Sequence, residues 1–371
     1  MLRERARIRP RPLRQGSAEV VDLIDTYFNA YNAARLREAC QAFVAMIDSG
    51  ATIGLSLSGA LTPAGLSSVL VPLLEMGFVD YISSTGANLY HDLHHDLNLP
   101  LYRGTAQLAS GAEDVRLKRE GVIRVYDILF EANVLYRTDE WVYRVLMEPE
   151  FQKRLSGSEL HHRLGRYALE TARKLDVEKP SILAMAHEFD VPIWCPSPAD
   201  STIGLNMAAL FAAAPSTAPQ MDPAADVIEM TSVVLDAKRT PNGASAVLIL
   251  GGGAPKNFLL QTEPQLQEIM GVDERGHDYF VQITDARPDT GGLSGATPQE
   301  AVSWGKVDPD KVPDSVVAYV DSTIALPLMA SYAMAKCEPR APKRLYQRLP
   351  EMVSKLKEAY KTSPLYARYW G

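Results

Sequence analysis

The stretch AVLILGGG, residues 246–253, decides how this chain folds. Five consecutive apolar residues suit a strand buried on both faces, because a strand with one wet face would alternate. The three glycines that follow let the backbone pass close to a ligand at the strand's carboxyl end. The same pattern recurs outward in both directions: TIGLSL (52–57), VDYISS (79–84), VPIWC (191–195), YFVQI (279–283) and VVAYV (316–320). Helical spacing falls between them, over 64–76 with Pro63 at its start, after the second strand through His94, and over 158–175 with Ser158 as cap. Further helices are predicted over 181–189, 227–237, 324–335 and 351–360, and a short strand over 124–129. Strand followed by helix, many times over, predicts a doubly wound, mostly parallel α/β sheet with helices on both faces, in a single large domain. The Ala/Pro-rich stretch FAAAPSTAPQMD (211–222) reads as a surface loop.

Composition narrows the function classes. The chain has 371 residues, is 46% hydrophobic, and carries a net charge of −7, so nothing favours nucleic acid as a partner. Six arginines crowd the first fourteen residues, which predicts an Arg-rich arm over 1–20 ahead of a domain over 21–371. No apolar stretch follows the arm to make it a secretory signal, and no apolar run is long enough for a membrane span. Cys40, Cys195 and Cys337 are odd in number and widely spaced, as in a cytoplasmic protein with reduced thiols.

In a doubly wound sheet, ligands bind beyond the carboxyl ends of the strands. Small-residue loops stand at five such ends: Ser58-Gly59-Ala60, Ser84 to Asn88, Pro198 to Ser201, Gly251 to Gly253, and Asp321-Ser322. Their backbone amides suit phosphates, and Asp200 or Asp321 suits a ribose hydroxyl. None is a GxGxxG. The segment HDLHHD (91–96) has metal-like spacing but lacks the Glu that follows the first His in the zinc-protease signature. It is taken as a polar helix face or subunit contact, with no metal expected, and His161-His162 as a solvated helix surface. Ser156 and Ser158 lack a nucleophile-elbow context.

The segment GGLSGATPQEAVSWGK (291–306) sets Glu300, Trp304 and Lys306 close together after a glycine-rich turn. A lysine beside an indole and a glycine suits covalent imine chemistry, since burial enlarges the neutral, nucleophilic fraction of an amine.

These loops, in this order, resemble deoxyhypusine synthase. The matching segments are SGALTPAG (58–65), STGANLYHDL (84–93), RVYDILF (124–130), SILAMAHEFDVPIWCPSPADSTIG (181–204), LILGGGAPK (248–256) and SGATPQEAVSWGK (294–306), and the similarity runs from about residue 25 to 340. The resemblance implies a Rossmann-like α/β fold in a homotetramer with active sites at the dimer interface. It implies NAD as cofactor and a small polyamine as substrate. Lys306 would carry an aminobutyl group as an imine. Gly59, Ala60, Leu61, Thr62, Pro63, Thr85, Gly86, Ala87, Asp200, Gly252, Thr284, Asp285, Asp321 and Ser322 would line NAD. Glu300 and Trp304 would face the polyamine, the indole as a cation-π surface.

The departures bear on substrate. Leu205 and Leu293 replace two polyamine-binding aspartates of the eukaryotic enzyme, Asn257 replaces a histidine, and Tyr90-His91 replaces paired glutamates. His91 and Asn257 are therefore expected to face a different amine. Asp92 and Asp289 are the carboxylates considered as substitutes. The form GGLSG resembles the bacterial deoxyhypusine synthase-like branch, which implies an aminobutyl transferase with spermidine as donor and a small acceptor such as putrescine, giving homospermidine. A true deoxyhypusine synthase acting on a protein lysine and a non-catalytic NAD- or polyamine-binding protein are the alternatives.

Overall fold

Six parallel strands build the central sheet in a computed structural model that describes residues 19–104 and 111–371. They are β1 (Thr52–Leu57), β2 (Tyr81–Ser84), β3 (Ile193–Trp194), β4 (Ser245–Leu250), β5 (Tyr279–Thr284) and β6 (Ser315–Tyr319). Their spatial order is β6-β5-β4-β1-β2-β3. Read from the other edge this is 3-2-1-4-5-6, the dinucleotide-fold order, with its switch point between β1 and β4. The Arg-rich arm up to residue 18 lies outside the described residues.

Register decides where the loops emerge. Leu57 pairs with Ser84 on one side and Leu250 on the other, and Leu250 pairs with Ile283. Four strands therefore end in one row, and their loops open onto the same edge. The β1 and β4 strands are buried along their whole length, as their unbroken apolar character requires. Side chains alternate between two cores. Leu55, Leu248, Leu250 and Ile283 enter one, packed by the helices Tyr31–Asp48, Gly157–Lys174 and Ser322–Lys336. Val247, Ile249 and Phe280 enter the other, packed by Pro223–Arg239 and Leu345–Lys361.

Several expectations shift. The strand predicted over 124–129 is a hairpin, Val122–Val125 against Ile128–Glu131, in a small antiparallel sheet outside the main one. Tyr126 turns the chain at φ 53, a conformation that side chains disfavour and that the apolar pattern hides. VPIWC keeps only two residues of strand at the sheet edge. Of the expected 211–222 loop, residues through Ala213 continue a helix, and Gln220–Met221 pairs with Arg154–Leu155. Ser156, not Ser158, caps the helix Gly157–Lys174, accepting from the Glu159 N–H at 3.2 Å. Ser158 donates to Glu229 at 2.6 Å. His161 is buried, bonded to the Ile193 carbonyl at 2.9 Å, because it shares the helix's inward stripe with Leu164 and Ala168. Its neighbour His162 stacks on Tyr346 at 3.6 Å between ring centres. Neither histidine is a solvated surface group.

Among the described residues no helix is long and apolar enough to cross a membrane. The three cysteines are buried free thiols.

Candidate active site

Two chambers lie at the row of strand ends. The larger, of ≈ 730 Å³, is lined by Ser58, Gly59 and Ala60 after β1, Ser84 to Ala87 after β2, Asp200, Gly251 to Pro255 after β4, and Thr284 and Asp285 after β5. That volume suits a nucleotide-sized ligand. A Cβ at Gly59 or Gly253 would have nothing within 4 Å, and both have positive φ. Gly252 is different: a Cβ there would lie 2.4 Å from Ser294 Cα. That glycine is required because the loop after β4 and the segment at 294 touch backbone to backbone.

Asn88 knits the first two loops. Its Oδ1 accepts from Leu61 N at 2.7 Å and Thr62 N at 3.3 Å, and its Nδ2 donates to Gly59 O at 3.2 Å and Thr85 Oγ1 at 2.9 Å. Thr85 caps the helix Gly86–Asp96 and donates to Gly59 O at 2.6 Å. Ser201 caps the helix Thr202–Ala213, and a Cβ on Gly86 would meet Ser201 Cβ at 1.9 Å. Two helix N-termini thus meet beside the chamber and lend it positive potential.

The smaller chamber, of ≈ 290 Å³, holds Lys306. Its other walls include Lys256, Asn257, Leu260, Phe280, Leu293, Ala296, Glu300 and Trp304. The short helix Pro298–Ser303 is capped by Thr297 and closes on a left-handed Gly305 at φ 68. Lys306 N donates to Ala301 O at 2.9 Å and Gly305 N to Val302 O at 3.0 Å, the paired bonds of a Schellman turn. That turn aims the Lys306 side chain. Lys306 Nζ lies 3.5 Å from Asn257 Oδ1 and 5.8 Å from the Trp304 ring centre. Burial pushes its ammonium below the usual lysine range, and Glu300 pulls the other way.

Lys256 has no part in the sequence-based site, yet it is the most constrained cation here. It is buried, and its Nζ donates to Gln282 Oε1 at 2.9 Å and Ala296 O at 2.7 Å. Burial first, and the charge of Lys306 second, lower its pKa to about 8. The sequence carries one sign of it: Gln282 is a polar residue inside an apolar strand. Gln282 also donates to Gly251 O and Ser294 O, both at 2.8 Å. The two chambers therefore share a partition, with Ser294 on the large side and Ala296 on the small side.

The remaining expected residues lie apart. Leu61, Thr62 and Pro63 do not line the large chamber, and Thr62 and Pro63 are buried behind the loop. Asp321 and Ser322 sit beyond β6, where Asp321 accepts from Thr323 N at 2.7 Å as a helix cap. His91 lines neither chamber; its Nδ1 bonds His94 Nε2 at 3.0 Å. Of the substitute carboxylates, Asp92 is buried and accepts from Ile182 N at 2.6 Å, while Asp289 pairs with Arg287 in an exposed turn. Among the described residues no group of three or more side chains could hold a metal ion.

A family model described as deoxyhypusine synthase matches residues 21–333. A deoxyhypusine synthase-like protein of Nostoc sp. (strain PCC 7120) is 53% identical over 343 residues, 92% of this chain and 88% of its own. Probable deoxyhypusine synthase 1 of Methanosarcina mazei is 36% identical over 323 residues, 86% of this chain and 92% of its own. A crystal structure assigned as a deoxyhypusine synthase from Entamoeba histolytica superimposes with a TM-score of 0.55 at 14% identity, over 86% of this chain and 94% of that one, a likeness of fold. Matched along most of its length at these identities, the chain belongs to the deoxyhypusine synthase family.

Proposed function

We propose that this chain is an NAD-dependent aminobutyl transferase with a polyamine donor such as spermidine and a small amine acceptor such as putrescine. The observation that carries the reading is the shared partition: a half-buried amine in an apolar chamber stands directly behind a glycine-lined, nucleotide-sized chamber.

The large chamber fits NAD. Gly59, Thr85, Gly86, Ala87 and the Gly251–Gly253 loop offer close backbone approach and capped helix N-termini for a pyrophosphate. Asp200 and Asp285 offer acceptors for ribose hydroxyls. NAD held there would supply a hydride acceptor for the donor's amine carbon and a hydride donor for the product.

Lys306 does the covalent work. Its neutral amine attacks the C=N bond of the dehydrogenated donor, and 1,3-diaminopropane leaves as the exchanged amine. The four-carbon fragment is then an imine of Lys306 Nζ. The acceptor amine attacks that carbon, Lys306 leaves with its nitrogen restored, and hydride return gives homospermidine with no net redox change. Glu300 sits in the field of both lysines and balances the alkylammonium. Trp304, 62% exposed, offers its face to a cation at the mouth. Exposed Leu293 and Trp304 at the mouth support assembly through this face into a homotetramer, with the mouth at the dimer interface.

The chain incubated with NAD, spermidine and putrescine is expected to release 1,3-diaminopropane and homospermidine together. NAD binding without either product overturns the reading. Label passing to a protein lysine and not to putrescine moves it to deoxyhypusine synthesis.

A further inference from the structure

The Lys306 chamber continues outward. Gln261, Pro264 and Glu268 line both it and a second cavity of ≈ 440 Å³, whose other walls include Met230, Phe258 and Ile269. Part of the wall between them, the part that carries Glu268, is a π-helical turn, Gln265–Ile269, closed by Met270 N donating to Gln265 O at 2.9 Å. A π turn accommodates an extra residue in a helix, and such turns concentrate at functional sites. Here the turn leaves Glu268 and Ile269 exposed while Leu266 and Met270 stay buried. Gln267, in the same turn, donates to Gly305 O at 2.8 Å, which ties the turn to the loop that aims Lys306.

The Glu268 carboxylate has no hydrogen-bonding or ionic partner among the described residues. Glu300 is the carboxylate whose field reaches Lys306 and it lines that chamber alone, whereas Glu268 lines the second cavity as well. Apolar Leu260 and Pro264 share the chamber with these two carboxylates. Separated anions joined by an apolar wall complement a chain of methylenes with an ammonium at each end, and they do not suit an anionic or neutral ligand.

We propose that Glu268 anchors the distal ammonium of a polyamine whose near end reacts at Lys306, in place of the carboxylates lost at Leu205 and Leu293. This rests on the transferase reading above. The outer cavity then receives whatever length of donor extends past Glu268.

The test titrates the NAD-saturated full chain and its Glu268→Gln variant with spermidine and with butylamine, which has no distal charge. Spermidine is expected to bind the variant roughly fivefold to tenfold more weakly, the scale of one lost charge-assisted contact. Butylamine should change less than twofold, and Glu268→Asp should keep most of the spermidine affinity. Equal spermidine affinity in Glu268→Gln, or equal weakening of both amines, overturns the subsite. Borohydride reduction with NAD and spermidine reports the underlying reading separately. A trapped adduct on Lys306 with unchanged Glu268→Gln affinity sinks the subsite alone. A wild-type chain with neither adduct nor spermidine binding sinks both.

Discussion

Lys256 Nζ is fixed 2.9 Å from Gln282 Oε1, so a second amine is held in place on the wall of the chamber that holds Lys306. Burial first, and then the charge of Lys306, bring the Lys256 pKa down to about 8. Removing that charge in Lys306→Met should raise the Lys256 pKa, while Lys306→Arg, which keeps a cation, should leave it near its present value. NMR titration of side-chain-labelled lysine distinguishes the two variants, and identical Lys256 midpoints would contradict the coupling.

Arginine cannot form the imine, so Lys306→Arg is expected to abolish aminobutyl transfer and the borohydride-trapped adduct. Lys306 lies outside the large chamber, so NAD affinity should change less than about twofold, since substitutions that break no contact have small effects. Equilibrium NAD binding alongside a transfer assay checks both halves.

Glu263 is fully buried behind the π turn, and burial raises its pKa to about 8. In the unfolded chain its carboxyl ionises near the ordinary value of about 4.5, so between these values only the folded state keeps the proton. This group's contribution is fully present below the unfolded value and is lost as pH rises to about 8. Glu263→Gln should therefore gain on wild type as pH rises from 5 to 8. Melting temperatures at those two pH values measure the change, and a constant gap would refute it.

Arg340 reaches from the C-terminal segment to Asp80 Oδ2 at 3.0 Å and to Ala51 O at 3.0 Å, and it also binds Gly77 O. Asp80 is buried, and burial raises its pKa against the pull of Lys343 and Arg340. Truncating Arg340 to Ala removes one of that carboxyl's two cationic partners, leaving Lys343 at 3.6 Å, and strips the donor from Ala51 O and Gly77 O; it should cost about 1–3 kcal/mol, read by denaturant unfolding.

Much of the sheet could be read from residues alone because burial on both faces writes an unbroken apolar run, as in 246–250. Lys306 was legible for a local reason: helix cap, left-handed glycine and lysine stand in one short segment. What sequence did not disclose is set by distant contacts. Lys256 is part of the site because β5 brings Gln282 beneath it. Asn88 ties two loops through bonds that span about thirty residues. His161 looks polar on paper but lies on the inward stripe of its helix. Glu268 belongs to a π turn, whose extra residue leaves no mark in the apolar spacing. Asp321 follows a strand that ends in the same row, as expected, but β6 is the outer strand of the sheet, one strand beyond those whose loops line the large chamber.

The strip from Ser294 to Ala296 has consequences for timing as well as position. Gly252 leaves it no slack on one side, and the Lys256 ammonium pins its carbonyl on the other. Any displacement of the strip must therefore unseal both compartments together. If the proposed transfer holds the nucleotide in one and the carbon fragment in the other, opening the strip would expose both to solvent at once.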